Sequence, residues 1–165
     1  MDPVHFSAEE ILDMAIRIEE NGEKFYAAAA KSAKNPKLKE LFEFLVKEEL
    51  KHAAYFGKLK KLVAEYTPHG AADPYLDEAS MYIKALSDAK VFHRETDPKE
   101  LARKTENEEK AIDFAIEAEK ESLLFYYEIQ KSIRDKDRKI VDDIIIEEKD
   151  HLQRLTAIKH EFYGK

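Results

Sequence analysis

Apolar and small residues recur every three to four positions in four long stretches of the chain, the period at which side chains share one face of an α-helix. The first stretch carries Ile11, Ala15, Ile18, Gly22, Phe25, Tyr26 and Ala29, and the second Leu38, Leu41, Phe42, Leu45, Phe56 and Leu59. The third carries Ile112, Ala115, Ile116, Leu123 and Tyr126, and the fourth Val141, Ile144, Ile145, Leu152, Leu155 and Ile158. Start and stop signals separate them. Ser7 with Glu10 makes a capping-box pattern that opens a helix running to about residue 34. Asn35 and Pro36 supply an N-cap and a first-turn proline for a second helix, which reaches about residue 66 before Thr67, Pro68, His69 and Gly70 end it. Asp97 and Pro98, with Glu100, repeat the start signal for a third helix lasting to about 133, and Asp135 is expected to cap a fourth that reaches about 162. Asp73 and Pro74 open a shorter helix, roughly 75 to 90, inside the connection 67–97. A helical connection of about 30 residues spans ~45 Å, enough to run back along the bundle. The expected fold is therefore all-α: a four-helix bundle of two helical hairpins, about 7–66 and about 98–162, joined by a long crossover at 67–97 that contains a short helix. All of it forms a single domain over 1–165.

Six polar residues interrupt these apolar stripes: Glu19 in the first, Glu49 and His52 in the second, Glu119 in the third, Glu148 and His151 in the fourth. Glu-x-x-His thus occurs twice, and each copy follows a lone Glu on the preceding helix. One such motif means little in a Glu-rich chain; the register between copies carries the argument. Ala15, Ile16, Glu19, Phe25 and Tyr26 recur at Ala115, Ile116, Glu119, Phe125 and Tyr126, a constant hundred positions later, and the His motifs recur one position short of that. Burying four carboxylates together without countercharge would cost many kcal/mol or force protonation. Two divalent cations cancel that charge, and neutral imidazoles add one terminal donor per ion. The bland alternative, a charge-rich bundle whose Glu and His fall inward by accident, must explain every member at matching depth in both hairpins. Tyr26, Tyr126 and Tyr127 lie about two turns beyond the lone Glu of their helices, so their hydroxyls are candidates to hold a neighbouring carboxylate; the competing role is a core aromatic. Glu48 and Glu147 point about 100° away from Glu49 and Glu148 and are expected on a solvated face. His5, His69, His93 and His160 lack the Glu three residues earlier and are expected to be surface or structural.

Composition narrows the picture further. The absence of cysteine excludes disulfides, iron–sulfur clusters and thiolate metal sites. No apolar run is long enough to span a membrane and the amino terminus lacks a secretory pattern, so a soluble cytoplasmic protein is expected. A net charge of −7 argues against a nucleic-acid partner. Charged residues make up 38% of the chain, dominated by Lys and Glu. With Asn and Gln scarce, this leans toward a thermophilic source, although any helical bundle is biased the same way.

The pattern resembles the ferritin-like di-iron carboxylate proteins, and within them the rubrerythrin-related branch. Three stretches carry the resemblance: Ala15-x-x-x-Glu19-x5-Phe25-Tyr26, Glu48-Glu49-x-x-His52-Ala53 and Glu147-Glu148-x-x-His151. It covers residues 7–66 and 98–162. The resemblance implies that Glu49 and Glu148 bridge two metal ions, while Glu19 with His52 and Glu119 with His151 complete the terminal positions in some pairing. Iron is the expected metal; manganese and zinc accept the same donors. The implied function is an oxidoreductase that reduces hydrogen peroxide or dioxygen in oxidative-stress defence, acting as a homodimer or higher homo-oligomer. Typical relatives carry a rubredoxin domain with four cysteines; with none here, the electron donor is expected to be separate, such as a free rubredoxin. The branch also uses an extra Glu one turn after the third-helix ligand, where this chain has Ser122 (Gly22 holds the matching place in the first helix), so slow cycling with peroxide is expected. The alternatives are a ferroxidase or iron-storage protein, a di-iron hydroxylase, and a metal-free helical interaction module.

Overall fold

The computed structural model describes residues 7–66 and 98–164, and these form five helices. They are α1 (Ala8–Ser32), α2 (Pro36–Tyr66), α3 (Pro98–Thr105), α4 (Glu108–Ser132) and α5 (Asp135–Tyr163). The expected short helix at about 75–90 lies outside the described residues, as do His5, His69 and His93. Among the described residues, no helix is long and apolar enough to cross a membrane.

Helix starts follow local chemistry. Ser7 accepts from the Glu10 amide at 3.2 Å while the Glu10 carboxylate accepts from the Ser7 amide at 2.8 Å, a complete capping box. Asn35 Oδ1 accepts from the amides of Lys37 and Leu38 at 3.0 and 3.3 Å, capping α2. Two expectations need correction. The helix expected from Pro98 to about 133 is broken: Asn107 adopts an extended backbone and its side chain accepts from the Lys110 amide at 3.1 Å, starting α4 afresh. Asn is a strong cap and Glu108 and Glu109 suit a first turn, so the local preference for a new start prevails. Asp135 does not cap α5; Arg134 holds the cap position, without a side-chain hydrogen bond, and Asp135 is the first helical residue.

α1 packs along α2 and α4 along α5, giving two hairpins; α1 then faces α4, and α2 faces α5. The cross-hairpin neighbours run antiparallel. Phe25, beyond Glu19, meets Phe114, before Glu119, with ring centroids 4.7 Å apart. Lys37 at the start of α2 pairs with Glu161 at the end of α5 at 2.6 Å. Antiparallel packing of this kind requires the crossover that the length of 67–97 had implied. The hairpins echo each other in detail: Lys60 pairs with Asp13 at 2.6 Å, and Lys159 with Asp113 at 2.6 Å. The core is the seam where the four long helices meet. Its fully buried large side chains include Phe25, Tyr26, Phe42, Phe56, Phe125 and Tyr126. Phe42 and Phe56 sit two turns before and after Glu49, and they pack on Tyr26 and Tyr126 with centroids 5.9 and 4.9 Å apart. Two aromatic layers thereby bracket the middle of the bundle.

Glu108 ties the hairpins at one end. Its carboxylate accepts from the amides of Lys34 and Asn35 at 2.5 and 2.8 Å and from the Tyr163 hydroxyl at 3.3 Å. The Asn35 amide first, then the other donors, hold this carboxyl below its usual range against partial burial. A depressed native value means the stabilisation is present above the unfolded-state value and is lost as pH falls through the native one. Glu108→Ala should lower unfolding free energy by about 1–2 kcal/mol at neutral pH. Urea denaturation of both forms at neutral and acid pH checks this: the gap should shrink in acid, and a gap that is absent or pH-independent contradicts the role.

Candidate metal centre

Between the aromatic layers, α1 contributes Glu19, α2 Glu49 and His52, α4 Glu119, and α5 Glu148 and His151; all six are buried, none more than 5% exposed. Helical spacing explains the convergence, because positions three apart on α2 and on α5 share one face. Glu49, Glu119, Glu148 and His151 can each bring one donor atom to a common point, and so can Glu19, His52 and Glu148. Glu148 belongs to both sets. Its Oε1 lies 2.7 Å from His52 Nδ1 and its Oε2 3.4 Å from His151 Nδ1. His52 Nδ1 is also 3.6 Å from Glu19, and His151 Nδ1 is 4.0 Å from both Glu49 and Glu119. The two imidazoles lie nearly parallel, centroids 5.5 Å apart, each turning Nδ1 toward the carboxylates.

The hydroxyl of Tyr26 donates to Glu119 Oε1, and that of Tyr126 donates to Glu19 Oε1, so each hairpin's tyrosine holds the other hairpin's glutamate. Burial, then the neighbouring carboxylates, push both phenols well above their ordinary range and keep them protonated as donors. Tyr127 does not join them; it is half-buried with Lys149 Nζ 5.4 Å from its ring centre. One position further along α4 turns it away from the face that Tyr126 occupies. His160 is exposed, as expected.

The electrostatics fit cations. Burial first, and repulsion from the other carboxylates next, raise Glu49 and Glu119 well above the usual carboxylate range. His52 is drawn up to about 11: burial works against its charge, but Glu148 and Glu19 outweigh it. Glu148 is held low despite burial by the close approach of Glu119 and of the two imidazoles. In this way protons limit the net charge of the cluster. Glu19 Oε2, Glu49 Oε1, His52 Nδ1, Glu148 Oε1 and His151 Nδ1 nonetheless have no directed hydrogen-bond partner although buried, the 2.7 Å approach of His52 to Glu148 being an ion-pair contact out of line for a hydrogen bond. Buried, unpartnered and inward-facing O and imidazole N atoms are the donor set that divalent iron, manganese and zinc accept.

A family model described as Rubrerythrin matches residues 10–159. The chain belongs to the rubrerythrin family. Among solved structures, it is similar to a protein of Thermotoga maritima described as a ferritin-like diiron-carboxylate protein, with 28% identity over 95% of this chain and 97% of that one and a TM-score of 0.69. No curated protein matches. The ferritin-like reading of the fold thus rests on backbone similarity as well as on motif spacing.

Against that rubrerythrin frame, two residues expected on a solvated face lie elsewhere. Glu147 is half-buried with its Oε2 2.8 Å from His52 Nε2, and Glu48 is half-buried with its Oε2 4.0 Å from His151 Nε2. Lys51 bridges them, at 2.7 Å from Glu48 and 3.0 Å from Glu147. The signal available in the chain was the doubled Glu before each x-x-His, in matching places. Gly22 has a defined task here: a Cβ at that position would lie 2.6 Å from Glu49 Oε2 and 3.1 Å from its Cδ. Gly22→Ala should therefore improve helix propensity by up to about 1 kcal/mol yet weaken metal binding by displacing the Glu49 carboxylate. Equilibrium dialysis against Mn(II), paired with thermal melts of the metal-free form, checks this. Unchanged metal affinity would mean that Glu49 does not need the space.

Proposed function

We propose that this rubrerythrin-family chain binds two metal ions, iron in the cell, and uses them to reduce hydrogen peroxide with electrons from a separate donor. The single observation that supports it most is the buried cluster of four carboxylates and two imidazoles with inward-facing atoms left unpartnered. On this reading Glu19 and His52 would hold one ion, Glu49, Glu119 and His151 would hold the other, and Glu148 could serve both. Bound and reduced there, two such ions would supply the two electrons that, with two protons, convert peroxide to two waters.

The chain's own residues do the rest. Tyr26 and Tyr126 fix the far oxygens of Glu119 and Glu19, leaving the near oxygens for metal. The aromatic layers keep bulk water from both ends of the cluster. A cavity of about 350 Å³, lined by Tyr55, Ile140, Asp143, Ile146 and Glu147, borders the Glu147 carboxylate that meets His52. On this reading a separate donor returns electrons to the centre, and a rubredoxin with its reductase has the right one-electron chemistry. A second reading, ferroxidase, is favoured by one observation: Ser122, itself buried one turn beyond Glu119, leaves one ion fewer carboxylates.

Anaerobic loading with Fe(II), followed by optical measurement of oxidation separately with peroxide and with dioxygen, tests the assignment. Faster oxidation by peroxide is expected, and faster oxidation by dioxygen would move the reading to ferroxidase or oxygenase chemistry. Peroxide turnover should be slow with NAD(P)H alone and rise when a rubredoxin and its reductase are added. Ser122→Glu should raise it further; a gain from neither change contradicts the peroxidase assignment.

A further inference from the structure

We propose that Glu147 is a positioning residue for the metal centre, selecting the His52 tautomer that leaves Nδ1 free to bind metal; this rests on the dinuclear reading above. His52 comes from α2, and its ring is buried between two carboxylate environments. Nδ1 faces inward, 2.7 Å from Glu148 and 3.6 Å from Glu19. Nε2 faces outward, 2.8 Å from Glu147 Oε2 on α5. Glu147 is acceptor-only when ionised, so the proton between them sits on Nε2. When the ring gives up its second proton to bind metal, it is the Nδ1 lone pair that is freed toward the cluster. Lys51 Nζ meets the same Glu147 Oε2 at 3.0 Å while gripping Glu48 at 2.7 Å. The carboxylate is thus fixed between an ammonium and an imidazole.

The matching position in the other half is different. His151 Nε2 is 4.0 Å from Glu48 and has no hydrogen-bond partner, because Glu48 leans toward Lys51. An equivalent doubled Glu therefore serves the two imidazoles unequally. Loss of Glu147 should act on one metal position, that of His52, and leave the other largely as it was. The bond also crosses between hairpins, joining α2 to α5.

Anaerobic titration of the full-length chain with Co(II), followed by visible absorption, tests this because the bands report the donor set around each ion. Glu147 is 35% exposed but bonded to the buried His52, so Glu147→Ala should lower the melt of the metal-free protein only modestly and leave it folded. It should still take two Co(II), one of them about 10–100-fold more weakly and with altered absorption. Glu147→Gln keeps an acceptor oxygen and should recover part of the affinity. Glu117→Ala, which removes an exposed carboxylate paired with Lys120, should match the native chain. Native affinity and spectrum in Glu147→Ala would overturn the assignment, as would equal weakening by Glu117→Ala, which would mark a bulk-charge effect. Failure of the native chain to bind two Co(II) would instead overturn the dinuclear reading, and this assignment with it.

Discussion

Four carboxylates and two imidazoles buried in one layer of a helical bundle set the terms for everything around them. Mutual repulsion and lost hydration make such a layer unfavourable unless positive charge enters with it. Protons can supply some, as the raised Glu49 and Glu119 and the raised His52 show. They do so while leaving oxygen and nitrogen atoms buried without directed partners. On the proposed reading, two divalent ions would satisfy both needs at once.

The surrounding architecture follows from holding that layer in place. Aromatic side chains two turns on either side of Glu49 seal it, and Gly22 leaves the space that the Glu49 carboxylate fills. The support is reciprocal across the hairpins. Tyr26 of the first holds Glu119 of the second, and Tyr126 of the second holds Glu19 of the first. Neither hairpin contains a complete site, so docking of the hairpins and formation of the centre are one event. The approximate twofold repeat in the chain is thus a repeat of half-sites.

Much of this was legible in the sequence, for identifiable reasons. The helical period and the capping pattern at Ser7 and Glu10 are local, and the six cluster residues stand out because charge interrupts an apolar stripe at the same depth four times. What escaped was non-local or a close contest. Placing Glu147 on a solvated face treated α5 as an isolated cylinder; the approach of α2 turns its flank into a half-buried seam where His52 and Lys51 meet it. Tyr127 was a candidate alongside Tyr126 because one residue of register separates them, and only packing decides which faces inward. The break at Asn107 escaped because the start signal at Asp97 and Pro98 accounts for one helix on its own, although a second cap and acidic first turn are present. At Asp135, an acidic residue suits both the cap and the first turn, and the chain uses it in the turn.

Thermal unfolding under anaerobic conditions, with chelator and with increasing Fe(II), tests most directly whether metal charge balances the buried layer. Ions that bind only the assembled cluster must stabilise it by mass action. The predicted result is a Tm that rises with Fe(II), alongside binding that saturates at two ions per chain, with both responses lost in Glu148→Ala. An identical Tm with chelator and with saturating Fe(II) would contradict the account, since the cluster would then be stable on protons alone.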